Sequence, residues 1–70
     1  MKMHFNDLFI IQNGMITPKV TIQINGTTMG QGVGFGSGVS FDGVDLSQYT
    51  NSYFQVEIQN SLYIIKGIYN

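Results

Sequence analysis

Two-residue turn signals divide this 70-residue chain into short pieces, and they constrain its fold more than any other feature of the sequence. Asn13-Gly14 and Asn25-Gly26 favour type I′ hairpin turns, because both central positions of that turn need a positive φ. Asp42-Gly43 and, more loosely, Asn60-Ser61 are further signals of this kind. The five pieces are 9 to 16 residues long, and residues 15–24 and 62–70 are shorter than an average helix of about 11–12 residues. The spacing therefore predicts β-hairpins.

The pieces between the turns have the period of two that is typical of strands with one buried face. The apolar positions of the two clearest runs are Val20, Ile22 and Ile24 in residues 19–25, and Phe54, Val56 and Ile58 in residues 53–59. Residues 62–69 are apolar at both parities, which predicts a strand covered on both faces. Residues 4–12 fit either a strand or a short helical stripe, and residues 45–52 fit a helical turn or a loop.

Glycine occupies positions 30, 32, 34, 36 and 38, every second residue of one segment. In a continuous strand over residues 30–41, Val33, Phe35, Val39 and Phe41 would share one face and the glycines would leave the other bare. Five glycines in a strand cost about 2.5–5 kcal/mol relative to alanine. A domain this small has only about 3–5 kcal/mol of net stability. Three interpretations stay open: close approach of another element or a second copy, a flexible loop, or a backbone that holds a ligand.

The ligand interpretation rests on the amide groups of the glycine-rich backbone, which can hold a nucleotide or another anion. The residues it assigns to ligand binding are Gly30, Gln31, Gly32, Gly34, Gly36, Ser37, Gly38, Ser40 and Asp42. The glycine spacing is G-x-G-x-G-x-G and not the dinucleotide-binding pattern G-x-G-x-x-G, and no helical pattern follows it. Small-ligand binding is therefore the alternative function and not the leading one.

Charged and reactive side chains are scarce, which argues against several classes of function. The charged residues and the one histidine are Lys2, Lys19, Lys66, Asp7, Asp42, Asp45, Glu57 and His4, and the chain has no arginine and no cysteine. Nucleic-acid-binding proteins usually carry a basic stripe, and this chain has none. Asp42 fits the turn, and Asp45 fits a cap on the turn that follows, better than a catalytic pair. We expect no metal, no cofactor, no nucleic-acid partner and no enzymatic activity.

The chain is expected to be one domain that does not enter a membrane. No run approaches the roughly 20 apolar residues of a membrane-spanning helix. The N-terminal run lacks the continuous apolar core of a signal peptide, which favours a cytoplasmic location. Residues 15–70 are predicted to form a single small β domain. Residues 1–14 are either its first strand or an N-terminal extension, since Met15 offers an alternative start.

These features together predict an all-β fold, a small antiparallel meander of about five short strands that forms an open barrel or a curled sheet. We expect a homo-oligomer to complete it, with the glycine-rich strand or the C-terminal strand against another copy. The predicted function is a non-catalytic interaction module that acts through self-assembly or binds a protein partner. The residues predicted at its interface are Phe35, Phe41, Tyr53, Tyr63 and Tyr69.

Overall fold

The computed structural model describes residues 1–36, 38–41 and 43–69. The described residues form ten β-strands and two short helices, which confirms the prediction of an all-β fold. The strands are β1 (Lys2–His4), β2 (Phe9–Gln12), β3 (Met15–Pro18), β4 (Ile22–Ile24), β5 (Thr27–Met29), β6 (Phe35–Gly36), β7 (Ser40–Phe41), β8 (Val44–Asp45), β9 (Tyr53–Gln59) and β10 (Leu62–Tyr69). The helices are α1 (Phe5–Leu8) and the 3-10 helix Leu46–Tyr49.

The strands belong to three open sheets. Their orders are β1-β9-β10-β4-β5, β2-β3-β6 and β7-β8. β10 pairs with β4 in parallel, with Tyr63 beside Ile22 and Ile65 beside Ile24. The predicted topology, an antiparallel meander of about five strands in one barrel or curled sheet, is therefore wrong. A parallel pair needs a long crossover, so no local turn signal in the sequence announces it.

The predicted two-residue turns have the backbone angles that type I′ hairpins require. The φ values are 53° and 76° at Asn13 and Gly14, 49° and 81° at Asn25 and Gly26, and 51° and 69° at Asn60 and Ser61. These turns connect β2 to β3, β4 to β5 and β9 to β10, so all three predictions are confirmed. The fourth predicted turn includes Asp42, which lies outside the described residues; Gly43 beside it has a φ of 87°.

Aromatic side chains connect the sheets through one core. The rings of Phe5 and Phe9 stack with centroids 4.8 Å apart, and Phe54 of β9 lies 6.3 Å from Phe5. Phe35 of β6 continues the row at 6.4 Å from Phe9. The aliphatic members of the core are Leu8, Ile16, Ile22, Ile24, Met29, Leu46, Val56 and Ile65. The inward positions predicted in β4 and β9 are buried, except that Ile58 near the end of β9 is 39% exposed.

Residues 1–14 contribute to this core. Phe5, Leu8 and Phe9 are fully or almost fully buried. α1 is a single turn whose first amides are capped by side chains: His4 Nδ1 accepts from Asn6 N–H at 3.1 Å, and Asp7 Oδ2 accepts from His4 N–H at 3.0 Å. Residues 4–12 therefore begin as a helical turn and continue as a strand, so each of the two interpretations describes one part. In the described parts of the chain, no helix has the length and apolar character needed to cross a membrane.

Candidate functional site

An exposed apolar surface surrounds the edge strand β2. Ile10 and Ile11 of β2 are 47% and 52% exposed, and Met15 of the neighbouring β3 is 43% exposed. β2 lies at the edge of its sheet, and residues 8–18 contain no charged side chain. Natural edge strands are usually protected from pairing with other chains by charge, proline or a bulge. We call Ile10, Ile11, Met15 and the open edge of β2 the β2 surface.

The backbone of β2 offers hydrogen-bonding groups at this edge. The residues that flank a two-residue hairpin turn form a hydrogen-bonded pair, and such pairs recur at every second position. The register places Gln12 opposite Met15 and Ile10 opposite Thr17, so these residues direct their backbone groups to β3. The N–H and C=O of Ile11 therefore point to the open side, where a further strand can pair with them.

The glycine-rich segment adjoins the β2 surface, and its glycines have different environments. Gly32 and Gly38 have φ values of 83° and 85°, which residues with a side chain adopt only at a cost. A Cβ atom at Gly34 would lie 3.0 Å from Thr17 Oγ1 and 3.3 Å from Met15 Cε, so this glycine permits close packing against β3. Of the five alternating glycines, Gly34 is therefore the one that packs closely against another strand of the described chain.

The described residues between 30 and 41 do not form the continuous strand that was one of the three interpretations. They contain the two-residue strands β6 and β7, and positive φ values at Gly32 and Gly38 turn the chain out of the extended conformation. Gly36 of β6 differs from Gly32 and Gly38, which have positive φ, and from Gly34, which packs against β3. Its φ lies outside the left-handed region, and a Cβ atom there would have no described atom within 4 Å beyond its chain neighbours.

The residues predicted for ligand binding are spread along the surface. Gly30, Gln31, Gly32, Gly38 and Ser40 are exposed, Gly34 and Gly36 are half-buried, and Ser37 and Asp42 lie outside the described residues. One residue of this set, Gln31, lines a cavity between described residues. That cavity, of about 380 Å³, is lined by Val20, Thr21, Gln31, Ile58, Ser61 and Tyr63.

Three of the predicted interface aromatics pack within the chain. Phe35 and Phe41 are half-buried against the core, with rings in a T-shaped arrangement 5.1 Å apart. Tyr63 is also half-buried against the core. Val33 and Val39, which the continuous-strand pattern placed on the same face, are instead 65% and 40% exposed.

The other two predicted interface aromatics lie together on the outer face of the five-stranded sheet. Tyr53 and Tyr69 are opposite each other in the β9–β10 pair and are 45% and 43% exposed. Lys2 Nζ lies 4.9 Å from the centroid of each ring, within the range of a cation–π contact. The Tyr69 hydroxyl donates to Gln55 Oε1 at 2.5 Å. The chain's own lysine therefore already occupies the space between the two rings.

Asp45 caps the 3-10 helix, as the sequence predicted. Its Oδ1 accepts from the Ser47 hydroxyl at 2.7 Å and from the Ser47 backbone N–H at 3.0 Å. These two hydrogen bonds, the hydroxyl one foremost, hold the pKa of Asp45 below its usual value of 3.8. Across residues 1–36, 38–41 and 43–69, no group of three or more His, Asp or Glu residues is placed to hold a metal ion.

A cavity of about 310 Å³ that the sequence did not predict lies beside the second half of β10. Its walls are formed by Ile24, Asn25, Val44, Tyr49, Ile65, Lys66, Gly67 and Ile68. β4 pairs with β10 over residues 63–65, while residues 67–69 pair with β9 alone. The β9–β10 register shifts at this point, between Ile65 and Gly67, as it does at a β-bulge. The signal of this site in the sequence is the pair Lys66-Gly67, which interrupts the apolar run of residues 62–69.

This arrangement limits where the C-terminal strand could contact another copy. β10 lies inside the five-stranded sheet, with β9 along one side and β4 along the first half of the other. Among the described residues, no strand pairs with the second half of that side. Comparison with known protein families, curated proteins and solved structures finds no match for this chain.

Proposed function

We propose that this protein is a non-catalytic interaction module that associates with a second copy of itself through the β2 surface. The observation that carries the proposal is the exposure of Ile10, Ile11 and Met15 beside an unpaired strand edge. Burial of such apolar area stabilises an interface by about 25 cal/mol per Å² before the costs of association. Pairing of the two edges would also satisfy the open backbone groups of Ile11.

A second copy fits this surface for reasons of symmetry and charge. An edge strand that pairs antiparallel with its own copy forms a self-complementary contact around a twofold axis. Residues 8–18 carry no charge and the whole chain has a formal net charge of −1, so repulsion between copies is weak. The edge formed by β1 is a poorer candidate, because it is three residues long and carries the exposed Lys2.

Sedimentation equilibrium over a range of concentrations tests this function. We expect a mass that rises with concentration from the 7.8 kDa of one chain to twice that value. Ile10→Lys and Ile11→Lys place a charge on the β2 surface and are expected to keep the protein monomeric. Ile58→Lys is the matched control, because it changes an isoleucine of similar exposure in the other large sheet.

The contrary results are clear. A mass of 7.8 kDa at every concentration contradicts the proposal, and so does an equal loss of association in the control variant. Circular dichroism of each variant must show the wild-type strand signal before its mass is interpreted.

The alternative function, binding of a nucleotide or another anion by residues 30–38, has weaker support. Its predicted residues are spread along the surface, and Gln31 lines a cavity with residues outside the predicted set. A thermal-shift measurement with ATP and with inorganic phosphate tests it, because a ligand that binds only the folded state raises the melting temperature. We expect no shift with either compound.

A further inference from the structure

We infer that the open half of β10 is a docking site for an extended acidic segment of a partner protein, which adds as a strand beside residues 66–69. The site is separate from the β2 surface, and it shares with the proposed function only the assumption that this chain binds proteins. Strand addition to a sheet edge combines backbone hydrogen bonds with pockets for alternate side chains. Both components are present here.

The first component is an unpaired backbone edge. The tight turn at Asn60-Ser61 fixes which residues of β10 direct their backbone groups to β9, and the N–H of Tyr63 donates to Thr21 O at 3.0 Å on the opposite side. Beyond the bulge, Gly67 and Tyr69 pair with β9. The N–H and C=O of Ile68 therefore point to the side where β4 has already ended, and a guest strand would continue the line of β4.

Gly67 leaves open space on the sheet face beside this edge. Its φ lies outside the left-handed region, and a Cβ atom there would meet no described atom within 4 Å beyond its chain neighbours. The chain's own packing therefore does not require glycine at this position. Gly67 also lines both the 310 Å³ cavity and a second cavity of about 170 Å³. A strand that lies against the β10 backbone explains a bare position at this place.

The second component is the pattern of side chains around the edge. Lys66 is exposed, lines the larger cavity and sits at the bulge, a feature that redirects a side chain out of the regular alternation. The described carboxylates are engaged elsewhere: Asp7 caps α1, Asp45 caps the 3-10 helix, and Glu57 accepts from the Gln59 amide. An acidic side chain of the guest supplies the partner for the ammonium group.

Part of the wall of the larger cavity is apolar and can take apolar side chains. Ile24, Val44 and Ile65 form its apolar part, and the side chains of Asn25 and Tyr49 complete it. Successive residues of a strand point to opposite sides. A segment that alternates acidic and apolar residues would therefore meet Lys66 with one set of side chains and the isoleucine-lined wall with the other.

Titration of the full-length ¹⁵N-labelled protein with two end-capped peptides tests this inference. The probes are acetyl-Val-Glu-Val-Glu-Val-amide and the peptide in which lysine replaces glutamate. We expect saturable shifts of the Gly67, Ile68 and Tyr69 amide signals with the acidic peptide and none with the basic one. Protection of the Ile68 amide against hydrogen exchange should rise in the complex, because that group gains a partner.

Two variants and one control separate the contributions. Lys66→Gln should weaken binding of the acidic peptide by about fivefold, the usual size of one exposed ion pair. Gly67→Val fills the bare position with a residue that strands accept, so the protein should fold and lose at least about tenfold in affinity. Lys19→Gln removes a lysine whose ammonium donates to Asn6 O far from this edge and should leave the affinity unchanged.

Several results overturn the inference. These are an absence of shifts with the acidic peptide, equal binding of both peptides, or wild-type affinity of the Gly67→Val protein. If sodium butyrate alone reproduces the shifts and the affinity, the site takes a small carboxylate and the peptide proposal fails. The titration is repeated with the Ile11→Lys variant, which is expected to be monomeric. Peptide binding that persists in this variant shows that docking at β10 does not depend on self-association through the β2 surface.

Discussion

At the scale of single residues, the alternating glycines combine several causes that the sequence presents as one pattern. Positive φ values favour glycine at positions 32 and 38, and the nearness of Thr17 favours it at position 34. No contact or backbone angle within the described chain favours glycine at position 36. Backbone angles and close contacts both depend on where β3 lies relative to the segment. The spacing alone left a strand, a loop and a ligand-holding backbone open, because it carries no information on that placement.

Asp45 predicts a pH dependence that can be assigned to one side chain. Its pKa is lower in the folded protein than the usual 3.8, because Ser47 donates two hydrogen bonds to the carboxylate. A lowered folded-state pKa gives a stabilising contribution that is full above the unfolded pKa and is lost as the pH falls through the folded one. Asp45→Asn keeps an oxygen acceptor for the cap and removes the titration.

The measurement is the urea midpoint of the wild type and Asp45→Asn from neutral pH to below 3.8. We expect the wild type to be more stable at neutral pH and the difference to close in the acid range. Ser47→Ala in the wild-type background removes one hydrogen-bond donor to Asp45. At neutral pH, the Ser47→Ala protein should therefore exceed Asp45→Asn in stability by less than the wild type does. A gap that stays constant through the acid range would show that the hydrogen bonds do not favour the ionised carboxylate.

At the scale of elements, hairpins were predictable and long-range pairings were not. The turns that follow β2, β4 and β9 were found from adjacent residues, because positive φ is a local demand that Asn and Gly meet. The caps at Asp45 and around His4 are also local, yet only the first was predicted, since histidine is a rare capping residue. The parallel β4–β10 pair depends on segments far apart in the chain and had no such signal.

The turn at Asn60-Ser61 predicts a stabilising substitution. Ser61 has a φ of 69°, a conformation that costs a residue with a side chain about 1–2 kcal/mol. Ser61→Gly removes this strain. Glycine also gives the unfolded chain more freedom, which offsets part of the gain, so the free energy of unfolding should rise by about 0.5–1 kcal/mol. Urea unfolding measures the change. Gly26→Ser, at the matching position of the β4–β5 turn, should lower stability by a similar amount, and a destabilised Ser61→Gly protein would refute the argument.

At the scale of the whole molecule, the N-terminal residues join the sheets into one core. Phe5 and Phe9 stack between the five-stranded and three-stranded sheets, and β1 forms an edge of the former. Truncating a buried phenylalanine to alanine costs about 3–5 kcal/mol. That is the whole net stability of about 3–5 kcal/mol expected for a domain of this size.

A chain that starts at Met15 is therefore predicted not to fold. Residues 15–70 lack Phe5, Leu8 and Phe9, which are buried in the full chain. Far-UV circular dichroism and the dispersion of amide NMR signals should show a disordered chain, whereas full-length Met15→Leu, which removes the internal methionine alone, should stay folded. A folded fragment would mean that residues 1–14 are a dispensable extension.

The place of β10 in the largest sheet has a consequence for biosynthesis. β10 lies between β9 and β4, yet it leaves the ribosome after the other four strands of that sheet. The β2–β3 and β4–β5 hairpins can close as soon as they emerge. β1 must wait for β9, and the second side of β4 must wait for β10, both of which are made much later. The nascent protein thus spends most of its synthesis as separate ribbons, and premature termination before Leu62 yields a polypeptide without its central strand.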